Sequence, residues 1–586
     1  MVKRFLITTA LEETWRDNEP VLFLGEWCKL YSRKEQWSQM EAQVLPYHWD
    51  DRAKLESDYQ YLQDFYEVLL ADLSIKLNQI HGVSHDLRYW RILVGPWLAY
   101  FVQMLFDRWY SIEQAVRQFD INETVVLIMN EEHLVPNDFV DFIRLFTGDE
   151  WNHFLYSEIL LYFPSISTIS CPYQAFKGIA QPISRKSRVK RFLSGCYTKI
   201  ISFTSRDEDV FLLSTYLPEK DESNLYRRLG QKPQRWRSVS PVKSSLNNRM
   251  RQWNLDGESK SQFEVCARSL ISRQIPKVYL EGYSELIKYS TALPWPKRPK
   301  LIWTSNCCNS DDVFKAWAAE KVERRSPLVI GQHGGNYGIG KRLFIEDHEI
   351  KISDHYLTWG WSKSNESKII PIGQLISKKP LDINHYIQKK AILVTCAVPR
   401  QSYFLYSAVI SRQWLDYLDD QFTFIENLPL HIQKAITVRL YPHDYGWGQV
   451  SRWRDRLPQI HLDGGQSKMS DLILQSRMYI STYNATTFLE SFNMNIPTVI
   501  YWNTEHWELR DSAIPYFEEL ERVGIFHPSP ASAAKHVAKV WDNVRDWWMS
   551  KEVQDVLISF TKQYCHLPEN LLNDVEKALK NIISKT

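Results

Sequence analysis

From Leu301 to Tyr501 the chain repeats one pattern: a short apolar run, a polar stretch, then apolar residues at helical spacing. The runs are Leu301–Thr304, Leu328–Gly331, Tyr356–Trp359, Ala391–Thr395, Ile436–Leu440, Met478–Ser481 and Thr498–Tyr501. Strands buried on both faces read this way, and strand–helix alternation implies a parallel sheet covered by helices. Earlier strands are expected at Phe5–Thr9, Val21–Gly25 and Thr124–Met129. Helices are expected over about 50–80 and over 88–118 with a break or kink at Gly95-Pro96. Further helices are expected over Ser310–Glu323, Gln401–Leu418 and Ser470–Gln475, and after Thr486.

At 586 residues the chain is too long for one core. The alternation divides near 374–388, where Lys379-Pro380 sits. This gives an α/β protein of two Rossmann-like, doubly wound parallel-sheet lobes. Residues 1–373 form an acceptor-side lobe with helical insertions at about 50–120 and 180–290. Residues 389–565 form the second lobe, and a last helix over 566–586 returns to the first. Residues of about 180–260, rich in Arg, Ser, Asn and Gln with apolar islands such as Val210–Leu213, read as an insertion or acceptor-facing subregion.

Open parallel sheets bind ligands beyond the carboxyl ends of their strands. One unit there stands out. Arg477–Ile480 opens onto Ser481-Thr-Tyr-Asn-Ala-Thr-Thr487, continues into a helix carrying Glu490, and re-enters a strand at Pro497. Small hydroxyl residues at a helix N-terminus offer free N–H groups, hydroxyl donors and the positive end of the helix dipole, which suits a phosphate. Glu490 is then within reach of a ribose. Arg439, His443 and Arg400 follow two of the expected strands and are natural phosphate contacts. Gln332-His333-Gly334-Gly335 follows another: Gly334 and Gly335 let the backbone approach a ligand, and His333 can exchange a proton near neutral pH. Glu12 and Glu13 follow the first strand, where a carboxylate could take a proton from a hydroxyl nucleophile, or simply sit at a helix N-terminus.

Other chemistries are disfavoured. No GxxxxGK[ST], GxGxxG or GxSxG occurs. Glu346-Asp347-His348-Glu349 has no partner motif, and the eight cysteines have no ligand spacing, so neither a metal nor a disulfide framework is expected. A net charge of +2 argues against nucleic acid. Local cations at Arg185, Lys186, Arg188, Lys190 and Arg191, and again at Arg227, Arg228, Lys232, Arg235 and Arg237, read as a solvated surface or as a contact with anionic headgroups or a phosphate-bearing acceptor. The apolar stretch Ile92–Phe106 is too short and too interrupted to span a bilayer, and the N-terminus lacks a signal-peptide core. A cytoplasmic chain, in peripheral contact with the inner membrane at most, is the expectation.

The combination Gln332-His333-Gly334, Tyr441-Pro442-His443 and Ser481–Thr487 with Glu490 and Pro497 resembles the GT-B transferases of bacterial surface polysaccharides, including Kdo transferases and glycerophosphotransferases. Thr8–Trp15, Phe23–Cys28 and Tyr47–Asp50 look like a narrower family of transferases from O-antigen and surface-carbohydrate gene clusters. The resemblance implies a nucleotide-sugar donor in the C-terminal lobe, a glycan or lipid-linked glycan acceptor in the N-terminal lobe, and no cofactor or metal. By it Ser481, Thr482, Asn484 and Thr486 would hold the donor phosphate and Glu490 the ribose. Arg439 and His443 would lie near the phosphate, His333 would line the cleft, and Glu12 or Glu13 would be the base. The function implied is glycosyl transfer, with glycerophosphate transfer, nucleotide-sugar epimerisation or a non-catalytic role in polysaccharide assembly as alternatives.

Overall fold

The computed structural model describes residues 2–16, 18–173, 205–363, 365–376 and 388–585. The cations Arg185–Arg191 and most of the expected linker lie outside them.

The chain is α/β, with three sheets of parallel strands. The first contains β1 (Arg4–Ile7), β2 (Val21–Phe23), β3 (Ala42–Val44), β4 (Ile121–Ile128) and β5 (Ser167–Pro172), in the order β3-β2-β1-β4-β5. The second contains β6 (Phe211–Leu213), β7 (Ile302–Thr304), β8 (Leu328–Gly331), β9 (His355–Thr358) and β10 (Ile369–Pro371), in the order β10-β9-β8-β7-β6. The third contains β11 (Lys390–Val394), β12 (Ile436–Arg439), β13 (His461–Asp463), β14 (Ser476–Ser481), β15 (Thr498–Tyr501) and β16 (Phe526–His527). Its order is β13-β12-β11-β14-β15-β16. The stretch 1–373, expected as one acceptor-side lobe, builds two sheets. The apolar island Val210–Leu213, expected inside an insertion, is largely β6, an edge strand with all three residues buried.

One helix joins the three sheets. Leu87–Gln118 is one helix through Pro96, so of the expected break or kink the break does not occur. Proline removes one N–H from the ladder, a local cost that dense packing on every side outweighs. Every residue from Ile92 to Trp109 is buried, as for a helix that is apolar all round. The helix packs on Arg52–His81, on Asp149–Leu160 of the first sheet's layer, and on Asp312–Glu323 of the second's. It reaches the third sheet through polar contacts: Leu405 N–H donates to Gln103 Oε1 at 2.6 Å, and Arg108 donates to Ser402 Oγ at 2.7 Å. No helix among the described residues is long and apolar enough to cross a membrane.

The last helix, Leu571–Lys585, returns to the second sheet. Val575, Leu579 and Ile582 bury themselves against Val210, Leu212, Leu301 and Trp303. The chain crosses at the carboxyl end of β9, where His566 N–H donates to the Trp359 carbonyl at 2.8 Å. Gly360 (φ +141°) makes room, since a Cβ there would lie 2.5 Å from the Lys562 carbonyl oxygen. The returning helix thus ties the end of the chain, which follows the third sheet, to the second sheet.

Candidate functional site

The carboxyl ends of β12, β11 and β14 lie side by side, with Val394 in register with Arg439 on one flank and Ser481 on the other. The helix Thr486–Asn493 starts just beyond β14. Its N-cap is Ala485, extended at φ −154°, and no side chain caps the first turn. Alanine has nothing to offer there, so the site keeps unsatisfied donors at the positive end of a helix dipole. Asn484, only 3% exposed, adjoins this turn. Its amide nitrogen and oxygen are both buried without a hydrogen-bond partner. Such a group costs about 1–3 kcal/mol unless something completes it.

The second sheet supplies the facing wall. Gly335 N–H donates to Thr486 Oγ1 at 3.0 Å. A Cβ on Gly335 would lie 2.6 Å from the Thr486 nitrogen and Cα, so only glycine permits this approach. Gln332, buried, braces the loop from behind: its Oε1 accepts from Trp359 N–H at 3.0 Å and Trp361 Nε1 at 2.8 Å, while Nε2 donates to the Gly334 carbonyl at 2.8 Å.

His333 lies between Gln332 and these glycines. Its Nε2 is 3.3 Å from the Tyr337 hydroxyl. Its Nδ1 is 3.4 Å from Glu349 Oε1 without forming a hydrogen bond. Burial pushes the imidazole down to about 4. Glu349 is fully buried, and burial drives its carboxyl well above the carboxylate range despite bonds from Asn309, Tyr356 and Tyr337. At neutral pH the imidazole is therefore uncharged and able to accept a proton.

The remaining expected residues divide. Glu490 lies in the second turn of the Thr486–Asn493 helix, half-buried. Arg439 is at the end of β12 but ion-paired with Asp463. His443 is exposed on the loop after β12, its ring perpendicular to that of Tyr445 with centroids 4.3 Å apart.

Five of the expected residues have other surroundings in the fold. Ser481 and Thr482 are buried, and their hydroxyls bond to the Tyr483 carbonyl, the Val394 carbonyl and Tyr417. They hold the loop in shape. Arg400 is spent on a junction between the first and third sheets. It bonds to Asp149 Oδ2 at 2.5 Å, to the Tyr445 carbonyl at 3.1 Å and to the Trp27 carbonyl. Glu12 pairs with Arg33 at 2.7 Å, and Arg33 lies two residues from Tyr31, whose hydroxyl bonds Asp455 beyond β12. Glu12 and the exposed Glu13 thus lie beyond the carboxyl end of β1, the central strand of the first sheet, while His333 shares its loop with Gly335, which meets the Thr486 turn.

The acidic run on the helix Phe344–Ile352 disperses. Glu346 accepts from Gly338 N–H and Arg510, Asp347 from Tyr59, and His348 is buried beside Gly95. Among the described residues no three His, Cys, Asp or Glu are grouped to hold a metal ion. Arg228 pairs with Glu576 and Arg235 with Glu219, each at 3.0 Å. Sequence reasoning gave Gln332 no role of its own and missed Tyr216 and Asn306, which lie on neighbouring strand ends. The polar residues after β6 and β7 were the available signal.

The structure is similar at low identity to a number of solved structures, three of which follow. The wall teichoic acid polymerase TagF is 12% identical, with 52% of this chain and 84% of that chain covered and a TM-score of 0.30. MurG of Acinetobacter baumannii is 8% identical, with 64% and 99% covered and a TM-score of 0.33. The glycosyltransferase SsfS6 of Streptomyces sp. SF2575 is 10% identical, with 64% and 99% covered and a TM-score of 0.29. Likenesses this loose have no bearing on the chemistry of the site. No curated protein matches the sequence. The family model of the LIC12162 family transferases matches residues 4–579, nearly the whole chain, and the protein belongs to that family.

Proposed function

We propose that this transferase moves a sugar from a nucleotide-linked donor to a hydroxyl of a surface glycan or lipid-linked glycan. The observation that carries the reading is the incomplete polar site at the Thr486 turn: an uncapped helix start next to a buried Asn484 amide with neither end satisfied. A phosphate ester supplies acceptors for the N–H groups and for the amide nitrogen. Glu490, farther along the same helix, suits a ribose hydroxyl.

In this reading the acceptor oxygen attacks the anomeric carbon of the donor. The new C–O bond forms as the bond to the phosphate oxygen breaks. The acceptor's proton passes to the His333 imidazole, and the phosphate departs into preorganised N–H donors. Burial keeps His333 neutral before the transfer.

The same neutral imidazole would serve attack on phosphorus, which makes glycerophosphate transfer the second reading. Product analysis separates them as a new glycosidic bond or a new phosphodiester. Donor consumption without an acceptor would indicate epimerisation instead.

The test is a thermal-shift screen with CDP-, CMP-, UDP-, GDP- and dTDP-linked sugars. A ligand that binds only the native state raises the melting temperature. At least one of these donors is expected to do so, and stabilisation by none would remove the reading.

A further inference from the structure

The turn after β6 has a backbone that its residues do not favour. Ser214 and Tyr216 both lie in the left-handed region, at φ +53° and +66°, and neither is glycine. Each costs on the order of 1 kcal/mol or more. Neighbours hold the turn in place. Ser305 N–H donates to the Ser214 carbonyl at 3.0 Å, and Ser305 Oγ donates to the Thr215 carbonyl, also at 3.0 Å. The buried Thr215 hydroxyl donates to Glu222 at 2.6 Å.

The turn sets the position of the Tyr216 ring. This half-buried ring runs nearly parallel to the His333 imidazole, at 23° with centroids 6.3 Å apart. Asn306 Nδ2 donates to the Tyr216 hydroxyl at 3.0 Å, which fixes the ring's angle. The ring also packs against the apolar cluster of the second sheet. A half-exposed aromatic, held by a strained turn beside the proton acceptor, is placed for a substrate.

We propose that Tyr216 is the platform on which a pyranose ring of the acceptor rests, with Asn306 as the residue that orients it, so that a sugar hydroxyl is presented to His333. The negative π-face of the phenol attracts the C–H hydrogens on the apolar face of a pyranose, and the sugar's hydroxyls stay free at the rim. Tyr216 is a positioning residue and exchanges no proton. The inference rests on the transfer reading above and adds where the acceptor sits and which surface of it is recognised.

The experiment is saturation-transfer-difference NMR on the full chain with methyl pyranosides of glucose, galactose, mannose, rhamnose and N-acetylglucosamine. At least one is expected to show transfer to its C–H face. Tyr216→Phe keeps the platform but loses the bond from Asn306, and should retain most of the affinity. Tyr216→Ala and Tyr216→Leu should each weaken it about three- to tenfold. The thermal shift caused by nucleotide sugars should be the same in all three variants. Loss of that shift in the wild-type protein would strike the transfer reading, whereas the platform fails on different results. Those are pyranoside affinity unchanged in both Tyr216→Ala and Tyr216→Leu, an equal loss in Tyr216→Phe, or no pyranoside binding to the wild-type protein.

Discussion

Gly335 N–H and Thr486 Oγ1 are hydrogen-bonded at 3.0 Å across the junction of the second and third sheets, 151 residues apart in sequence. The bond joins the loop that carries His333 to the first turn of the helix Thr486–Asn493.

Gly335→Ala should separate the two loops. Its Cβ would meet backbone atoms of Ala485 and Thr486, which cannot rotate away. Overpacking of this kind costs about 1–3 kcal/mol. Thermal denaturation should show a lower midpoint, and nucleotide-sugar stabilisation should fall with it. An unchanged midpoint would mean that the loops are not held this closely.

Asn484→Ala should separate stability from binding. Removing a buried, unpartnered amide relieves a desolvation cost and offsets the side-chain packing lost. The free protein should therefore melt within about 1 kcal/mol of wild type, while the nucleotide-induced shift disappears. A destabilised protein with an intact shift would show that the amide serves the fold.

Arg400→Met should do the reverse. It leaves the Asp149 carboxylate largely buried without its partner, and breaking a buried pair costs about 3–5 kcal/mol. Nucleotide binding per folded molecule should persist in isothermal titration. Lost binding in a stable variant would restore Arg400 to the phosphate.

His348→Leu should stabilise the protein more in acid than at neutrality. Burial pushes this imidazole down to about 3, against an ordinary value of 6.5, and both ring nitrogens lack partners. Between those values the unfolded chain binds the extra proton. Stability is therefore full above about pH 6.5 and falls as the pH drops towards 3. Chemical denaturation at pH 5 and pH 7.5 should show the advantage of the variant growing by on the order of 2 kcal/mol at the lower pH. An equal difference at both would mean that His348 is solvated.

The central strands were legible because burial on both faces writes them as unbroken apolar runs, as in Leu328–Gly331 and Ala391–Val394. Edge strands were not. Ser167–Pro172 has no buried residue, and Ala42–Val44 carries a glutamine between two small apolar residues. Missing β3, β5, β6 and β10 hid the division of 1–373 into two sheets. The helix expected from Gln401 starts only at Gln413, because residues 400–412 are taken up by tertiary contacts such as that of Ser407 with Arg342.

Site legibility followed the same division. Strand-end position, the glycines and the hydroxyl loop are local, so Gly335, Asn484 and Thr486 could be nominated from sequence. Partners are not local. The contacts of Arg400 with Trp27 and Asp149 lie more than 250 residues away, and nothing in a run of Ser and Thr says which hydroxyls turn inward. The strained turn at Tyr216 was unreadable for a similar reason, since a left-handed backbone at a non-glycine residue is imposed by its surroundings.

The most direct measurement is amide hydrogen exchange with and without the nucleotide sugar that stabilises the protein most. New protection is predicted in two segments, 333–336 and 484–490, which the fold brings together. Protection confined to the first sheet around Glu12, or to surfaces remote from Thr486, would contradict a donor site at this junction.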